Sequence, residues 1–315
     1  MRSFRLIALA AMLAFAAQVH AGQAPTGSAA PPTPDQDKAV QDARKLMQAG
    51  QLDQALAAFQ DVLKASPESF DANIGTGVVL DLQLKFDEAR KHFAKALAAA
   101  TPDNRQQALT AMAVSYAFQG NAKEAATFYQ QIYDTQSDAA NWAGAAATAN
   151  ALGRVYLESG DTKNAMRWYE TGYEAARRQP ASPGAQLDLW EYRWAHAQGR
   201  IAAREGRFDD ARRHVAAAHA LIEKNPEAFK DERPTLFYLS GYVELYAKNY
   251  AKAIEELQQG NLDDPFVGSL LARAYEGAGQ ADKARERWEA VRTSTAHNIQ
   301  NAFARPMALK KLDKS

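Results

Sequence analysis

LGRVYLESGDTKNAMRWYETGY, residues Leu152–Tyr173, is the stretch that decides the fold. Thr162, Ala165 and Tyr169 stand at i, i+3 and i+7, the spacing that lines one face of an α-helix. Gly153, twelve residues before Ala165, shares an earlier helical segment with Tyr156. Gly160 stands between the two segments, where the chain must leave one helix and enter the next. The stretch therefore predicts two helices whose backbones approach closely where small residues meet.

The same sparse word recurs seven times, centred on Ala55, Ala89, Ala125, Ala165, Ala211, Ala253 and Ala284. Four residues after each anchor comes Phe59, Phe93, Tyr129, Tyr169, Val215, Leu257 or Trp288. Twelve before it comes Ala43, Gly77, Ala113, Gly153, Gly199, Gly241 or Ala272. Gaps of 34, 36, 40, 46, 42 and 31 residues between anchors are the drifting period of a helical solenoid. A bundle of unrelated helices would share no such register. Glycine holds the turn at Gly50, Gly120, Gly160, Gly206 and Gly279, whereas Leu84 and Lys248 replace it in copies two and six.

This pattern resembles the tetratricopeptide repeat, a 34-residue helix-turn-helix unit. Leu152–Tyr173 keeps its L-G-x-x-Y, turn glycine, alanine and aromatic, and AGQLDQALAAFQDVLKASP (Ala49–Pro67) keeps the terminal proline as well. Copies five and six depart most, with Ala202 and Glu244 where the family prefers an aromatic. The resemblance covers residues 37–293. It implies an all-α fold, a right-handed α-solenoid of about seven such repeats, with the first helices lining a concave surface that binds peptides or partner helices. Extra residues around 134–145, 179–185 and 224–234 predict lengthened second helices or protruding loops. Residues 294–315 form a tail, irregular until Arg305-Pro306, where proline starts a final helix through Leu312. Lys310, Lys311, Asp313 and Lys314 would give that helix the polar outer face of a cap.

The N-terminus reads differently. Arg2 and Arg5 precede an unbroken apolar run, Leu6–Ala17, and Val19-His20-Ala21 offers small residues for cleavage. Residues 1–21 are thus expected to be a signal peptide, too short to span a bilayer. The chain has no cysteine, which removes disulfides, thiol chemistry and an acylated-cysteine anchor. The expected location is periplasmic or secreted. Residues 22–36, GQAPTGSAAPPTPDQ, carry four prolines and predict a flexible linker. Without Arg2 and Arg5 the chain has 35 basic and 37 acidic side chains, a balance of −2 that gives no bias toward nucleic acid or an anionic membrane. Beyond the signal no apolar run is long enough for a membrane span.

No catalytic signature stands out: G-x-S-x-G, H-E-x-x-H and the P-loop are all missing. His214 and His219, five apart, point in different directions on a helix and make a poor metal pair. No cofactor, metal site or enzyme activity is expected. Trp168, Tyr169, Tyr173 and Trp288 fall on second-helix packing faces, and Trp190 and Trp194 on one side of copy five's first helix, as core residues.

The stripe expected on the concave surface is uneven. Copies one to three present Val40, Met47, Ile74, Val78, Leu82, Val114 and Phe118. Copies four to seven present Asn150, Arg154, Arg193, His196, Arg200, Arg204, Tyr238, Tyr242, Tyr246 and Arg273. Arginine offers a fork of donors to a carboxylate, and tyrosine gives rigid contact area with a polar tip. Some members of the family clamp a carboxylate with lysine and asparagine here; Asn150 matches, but the lysine is missing. The expected function is a non-enzymatic scaffold in the bacterial cell envelope that binds another protein or peptide segment, acidic or carboxylate-bearing, through these residues. The competing reading of the arginines is pairing with acids on neighbouring helices. The competing function is an envelope ligand-binding protein or enzyme with its site in the lengthened copies four to six.

Overall fold

Small residues at the anchor positions decide how the helices assemble. A computed structural model describes residues 33–179, 185–227 and 229–313; the expected signal peptide and residues 22–32 of the expected linker lie outside the described residues. Among the described residues seven helix pairs follow one another. They are α1 (Pro34–Gln48) with α2 (Leu52–Ala65), α3 (Phe70–Leu82) with α4 (Phe86–Ala99), α5 (Pro102–Phe118) with α6 (Ala122–Asp138), and α7 (Trp142–Glu158) with α8 (Thr162–Arg177). Then come α9 (Ala185–Arg204) with α10 (Phe208–Lys224), α11 (Arg233–Tyr246) with α12 (Tyr250–Leu257), and α13 (Pro265–Gly277) with α14 (Ala281–Arg292). A last helix, α15, spans Ile299–Leu312. No strand occurs among the described residues, and each pair coincides with one copy of the repeat word. The fold is the all-α solenoid that the register implies.

All seven anchor alanines are buried. The small residue twelve places earlier packs on the large residue four places after the anchor. A methyl group added at Gly77 would overlap the Phe93 ring, one at Gly153 the Tyr169 ring, and one at Gly241 the Leu257 side chain. In copy five this pairing shifts, and Gly199 faces Leu239 and His214 instead of Val215.

The turns keep one geometry whatever residue fills them. Gly50, Gly120, Gly160, Gly206 and Gly279 have positive φ, and so do Leu84 and Lys248, both at 62°. Copies two and six therefore make the same left-handed turn without glycine, against a steric cost of about 1 kcal/mol each. Ala140, at 53°, adds one between α6 and α7.

Two expected boundaries move. α1 begins at Pro34, not after Gln36: Thr33 caps it, and proline is pre-shaped for the first helical position, so the last residues of the presumed linker are helical. α15 begins at Ile299 rather than at Pro306, which lies inside it. Asn298 provides the N-cap, its side chain accepting from the Asn301 N–H at 2.9 Å.

The larger difference is where α15 goes. It packs on α13 and α14, and also on α5 and α7. Ala304 and Ala308 cover Trp288 and Val291 at the end of the array, while Ile299 and Ala302 join the apolar cluster of Ile74, Val78, Leu82, Val114 and Phe118. The apolar stripe of copies two and three is thus buried under the chain's own C-terminal segment.

Polar contacts hold that segment in place. Asp81, fully buried on α3, accepts from Ser115 Oγ at 2.9 Å and pairs with His297 Nε2 at 2.8 Å. The His297 ring lies between Phe93 and Phe118, with centroids 5.5 and 5.6 Å away. Burial raises the Asp81 carboxyl above its usual range, against the opposing hydrogen bond and charge of His297. Arg305 donates to the Leu82 carbonyl at 3.0 Å, to the Ser294 carbonyl at 3.1 Å and to the Arg292 carbonyl. Leu82 and Arg292 end α3 and α14, so Arg305 sits where two helices present unpaired carbonyls and their negative ends.

Candidate functional site

A cleft of about 420 Å³ opens on the first helices of copies four to six. α7 contributes Asn150 and Arg154, α9 contributes Trp190, Tyr192, Arg193, His196 and Arg200, and α11 contributes Thr235 and Tyr238. Tyr169 enters from the second helix of copy four, Asp264 from the N-cap of α13, and Ile299 and Gln300 from the first turn of α15. Of the ten residues singled out in the sequence, six line this cleft together: Asn150, Arg154, Arg193, His196, Arg200 and Tyr238.

The other four form a separate cluster beside it. Arg204 Nη1 donates to the Tyr246 hydroxyl at 2.7 Å and pairs with Glu158 at 3.3 Å. Tyr242 is fully buried, its ring 4.7 Å from that of Tyr246, and Arg273 lies over the Tyr246 ring at 5.2 Å. Tyr242 and Tyr246 are thus packing partners within the solenoid. A Tyr242→Ala change would disturb the core and, through the Tyr238 ring 6.1 Å away, the wall of the cleft.

The arginines divide in the same way. Arg193 pairs with Glu232 at 3.7 Å and Arg204 with Glu158, as the local-pairing reading expects. Arg154 and Arg200 do not follow it. Arg200, only 6% exposed, donates to two neutral phenols, Tyr169 at 2.9 Å and Tyr238 at 3.4 Å. Arg154 lies over the Phe266 ring at 4.6 Å and near the Tyr238 ring at 5.8 Å. Arg154 Nε and Nη2 and Arg200 Nε are buried without a hydrogen-bond partner. Ring faces attract a cation, at about 0.5–2 kcal/mol per contact, but they do not replace the lost hydration of two adjacent guanidinium groups. Such an arrangement lowers its energy by taking up an anion.

His196 is held as a neutral hydrogen-bonding group. Burial, and next the charge of Arg200, push it well below the usual imidazole range. Its Nε2 lies 3.1 Å from the Thr235 carbonyl, so that nitrogen carries the proton. Tyr169 and Tyr238, raised above the usual phenol range by burial, also stay protonated. Among the described residues no group of three or more His, Cys, Asp or Glu side chains is placed to hold a metal ion.

Sequence reasoning missed Tyr169, Trp190, Thr235, Asp264 and the first turn of α15. Tyr169 occupies a packing position of the word, and its ring does pack on Gly153. It also lines the cleft, where its hydroxyl accepts from Arg200. Trp190 is buried in a small apolar cluster and also carries the Arg193 guanidinium over its ring at 4.9 Å. Its place at the start of copy five's first helix, one turn before Arg193, was the available signal.

A stack of paired helices with a lined concave cleft defines a class of protein, the α-solenoid that presents a recognition surface. Family models described as tetratricopeptide repeat match residues 41–105 and 104–178. The chain is a tetratricopeptide-repeat protein. Similar solved structures include the apo form of RapI (10% identity, TM-score 0.54, 89% of this chain and 100% of that one). Another is a tetratricopeptide repeat protein from Parabacteroides merdae (12% identity, TM-score 0.50, 87% and 98%). A third, from the APC/C hetero-tetramer Cut9–Hcn1, is 18% identical with TM-score 0.43 over 87% of this chain, which spans about half, 49%, of that chain's length. At these identities the likeness concerns the fold alone. No curated protein matches the chain. Proteins built of this repeat bind other proteins or peptides, and no described helix is long and apolar enough to cross a membrane.

Proposed function

We propose that this protein is a non-enzymatic interaction scaffold of the bacterial cell envelope, exported through residues 1–21, that captures an acidic or carboxylate-bearing segment of a partner on the concave face of copies four to six. One observation carries the recognition half of this reading: Arg154 and Arg200 line an open cleft with donors that no described residue satisfies. Solenoids leave long curved surfaces suited to recognition. α15 packs on the apolar stripe of copies two and three, whereas the basic cleft of copies four to six stays open to a partner. The export half rests on the basic start, the short apolar run and the Val19-His20-Ala21 site.

The test compares partner capture from envelope extracts by the wild type, by Arg154→Glu and by Arg193→Glu. The expected result is a partner retained by the wild type and lost by Arg154→Glu. Identical captured sets, with circular dichroism melts showing both variants folded, would remove the cleft as the docking site. Fractionation with N-terminal sequencing of the mature chain checks the location, and a chain retaining residues 1–21 in the cytosolic fraction would refute export.

A further inference from the structure

The cleft has properties that an extended peptide crossing an open groove does not require. Arg200 lies at depth, 6% exposed, so a bound anion must reach inward to meet it. The first turn of α15, with Ile299 and Gln300, forms a wall on one side, and Trp190, Tyr192 and Thr235 line other parts. A volume of about 420 Å³ is far more than a bare ion needs and lies within the range of small-molecule sites.

The charges limit what enters. Arg193 is neutralised by Glu232, and Asp264, which also lines the cleft, acts electrostatically on Arg154. Against Arg154 and Arg200 this leaves room for about one negative charge, and a doubly charged group would meet the rim carboxylates. The phenols add direction. Tyr169 and Tyr238 each accept an N–H of Arg200, which leaves their own O–H protons to donate to a bound oxygen. Guanidinium forks and phenol donors match the planar pair of oxygens of a carboxylate. Trp190, Tyr192, Tyr169 and Tyr238 supply aromatic surface for the body behind it.

We infer that this cleft is a receptor site for a small free carboxylic acid with an aromatic body, held by Arg154 and Arg200. This rests on the cleft being a recognition site, as proposed above, but not on the partner being a protein.

Isothermal titration of the full purified chain with phenylacetate, 4-hydroxyphenylacetate and benzoate tests it, beside phenylacetamide, phenyl phosphate and a short peptide ending in phenylalanine. The expected result is saturable one-to-one binding of at least one of the three acids, with the amide at least tenfold weaker. Arg154→Gln should weaken that binding at least tenfold, while Arg213→Gln, at an exposed position outside the cleft, should change it less than threefold. Arg200→Lys, which keeps the charge but loses the fork, should also weaken binding while the melting temperature stays close to that of the wild type. Absence of saturable binding by all three acids at roughly millimolar concentration, equal binding of the amide, or unchanged binding by folded Arg154→Gln would each overturn the proposal. Tighter binding of phenyl phosphate would overturn its single-charge argument. Binding of the peptide alone would overturn it while leaving the scaffold reading intact, and loss of partner capture with acid binding retained would do the reverse.

Discussion

Two halves of one concave surface, built from the same repeat, have been finished in opposite ways. In copies two and three the stripe is apolar and α15 lies on it, with Ile299 and Ala302 against Val78, Leu82, Val114 and Phe118. In copies four to six the stripe is basic and aromatic, and a cleft remains open. The buried arginines show the contrast at single-residue scale. Arg305 donates to three carbonyls, two of them at helix ends, and so is a satisfied structural cation. Arg154 lies over aromatic rings with two donors unpaired. A buried charge whose hydrogen bonds are made belongs to the fold. One left waiting is the observation on which the proposed recognition role rests, and the fold carries its cost.

The strongest way to break the comparison is to remove the C-terminal segment. A chain ending after Thr293 should lose about 3 kcal/mol or more, because a contiguous apolar stripe is returned to water. Urea denaturation followed by far-UV circular dichroism measures this, and increased binding of a hydrophobic dye should accompany it. A truncated chain as stable as the whole would mean that α15 is not part of the core.

The two arginines come next. Arg305→Met should destabilise by about 2–3 kcal/mol, since it orphans the carbonyls of Leu82 and Arg292 and removes one of two donors from that of Ser294. Arg154→Met should leave the unliganded chain unchanged or more stable by up to about 1 kcal/mol. Paired thermal melts decide it, and equal losses in both variants would erase the distinction between a structural and a recognition arginine.

Acid sensitivity sharpens the picture of the cleft. His196 is neutral in the fold, its pKa held by burial well below the ordinary imidazole value of about 6.5. The unfolded chain therefore binds a proton that the folded chain refuses. Its contribution is fully present above that value and is lost as pH falls below it, with a limiting slope of about 1.4 kcal/mol per pH unit. His92 and His214 shift the same way through burial, so the comparison is between wild type and His196→Gln. The variant should show a shallower loss of stability between neutrality and mild acid. Parallel curves would place a charged imidazole in the fold.

The smallest expected effect concerns the turns. Leu84→Gly should stabilise by about 0.5–1 kcal/mol, because Leu84 holds a positive φ and its side chain is partly exposed. A chemical-denaturation midpoint that falls would show that the Leu84 side chain contributes packing that outweighs its backbone strain.

Much of this protein was legible without coordinates, and the reason is local. The register of Gly77 with Phe93 and of Gly153 with Tyr169 lies within single helix pairs, where spacing along the chain becomes contact through helical geometry alone. Spacing likewise identified the stripe on which Asn150, Arg154, Arg193, His196, Arg200 and Tyr238 meet. What it does not encode is which partners lie across the superhelix. Asp81 meets His297 from 216 residues away, and Arg305 reaches Leu82 from 223. Those contacts depend on the accumulated rotation of many repeats, and no periodicity carries that angle. The sequence by itself determined the helix pairs, their number and the face each presents. Only the tertiary structure decided that α15 closes one half of the concave surface, that Arg204 and Tyr242 belong to the packing, and that Arg154 and Arg200 were left with donors to spare.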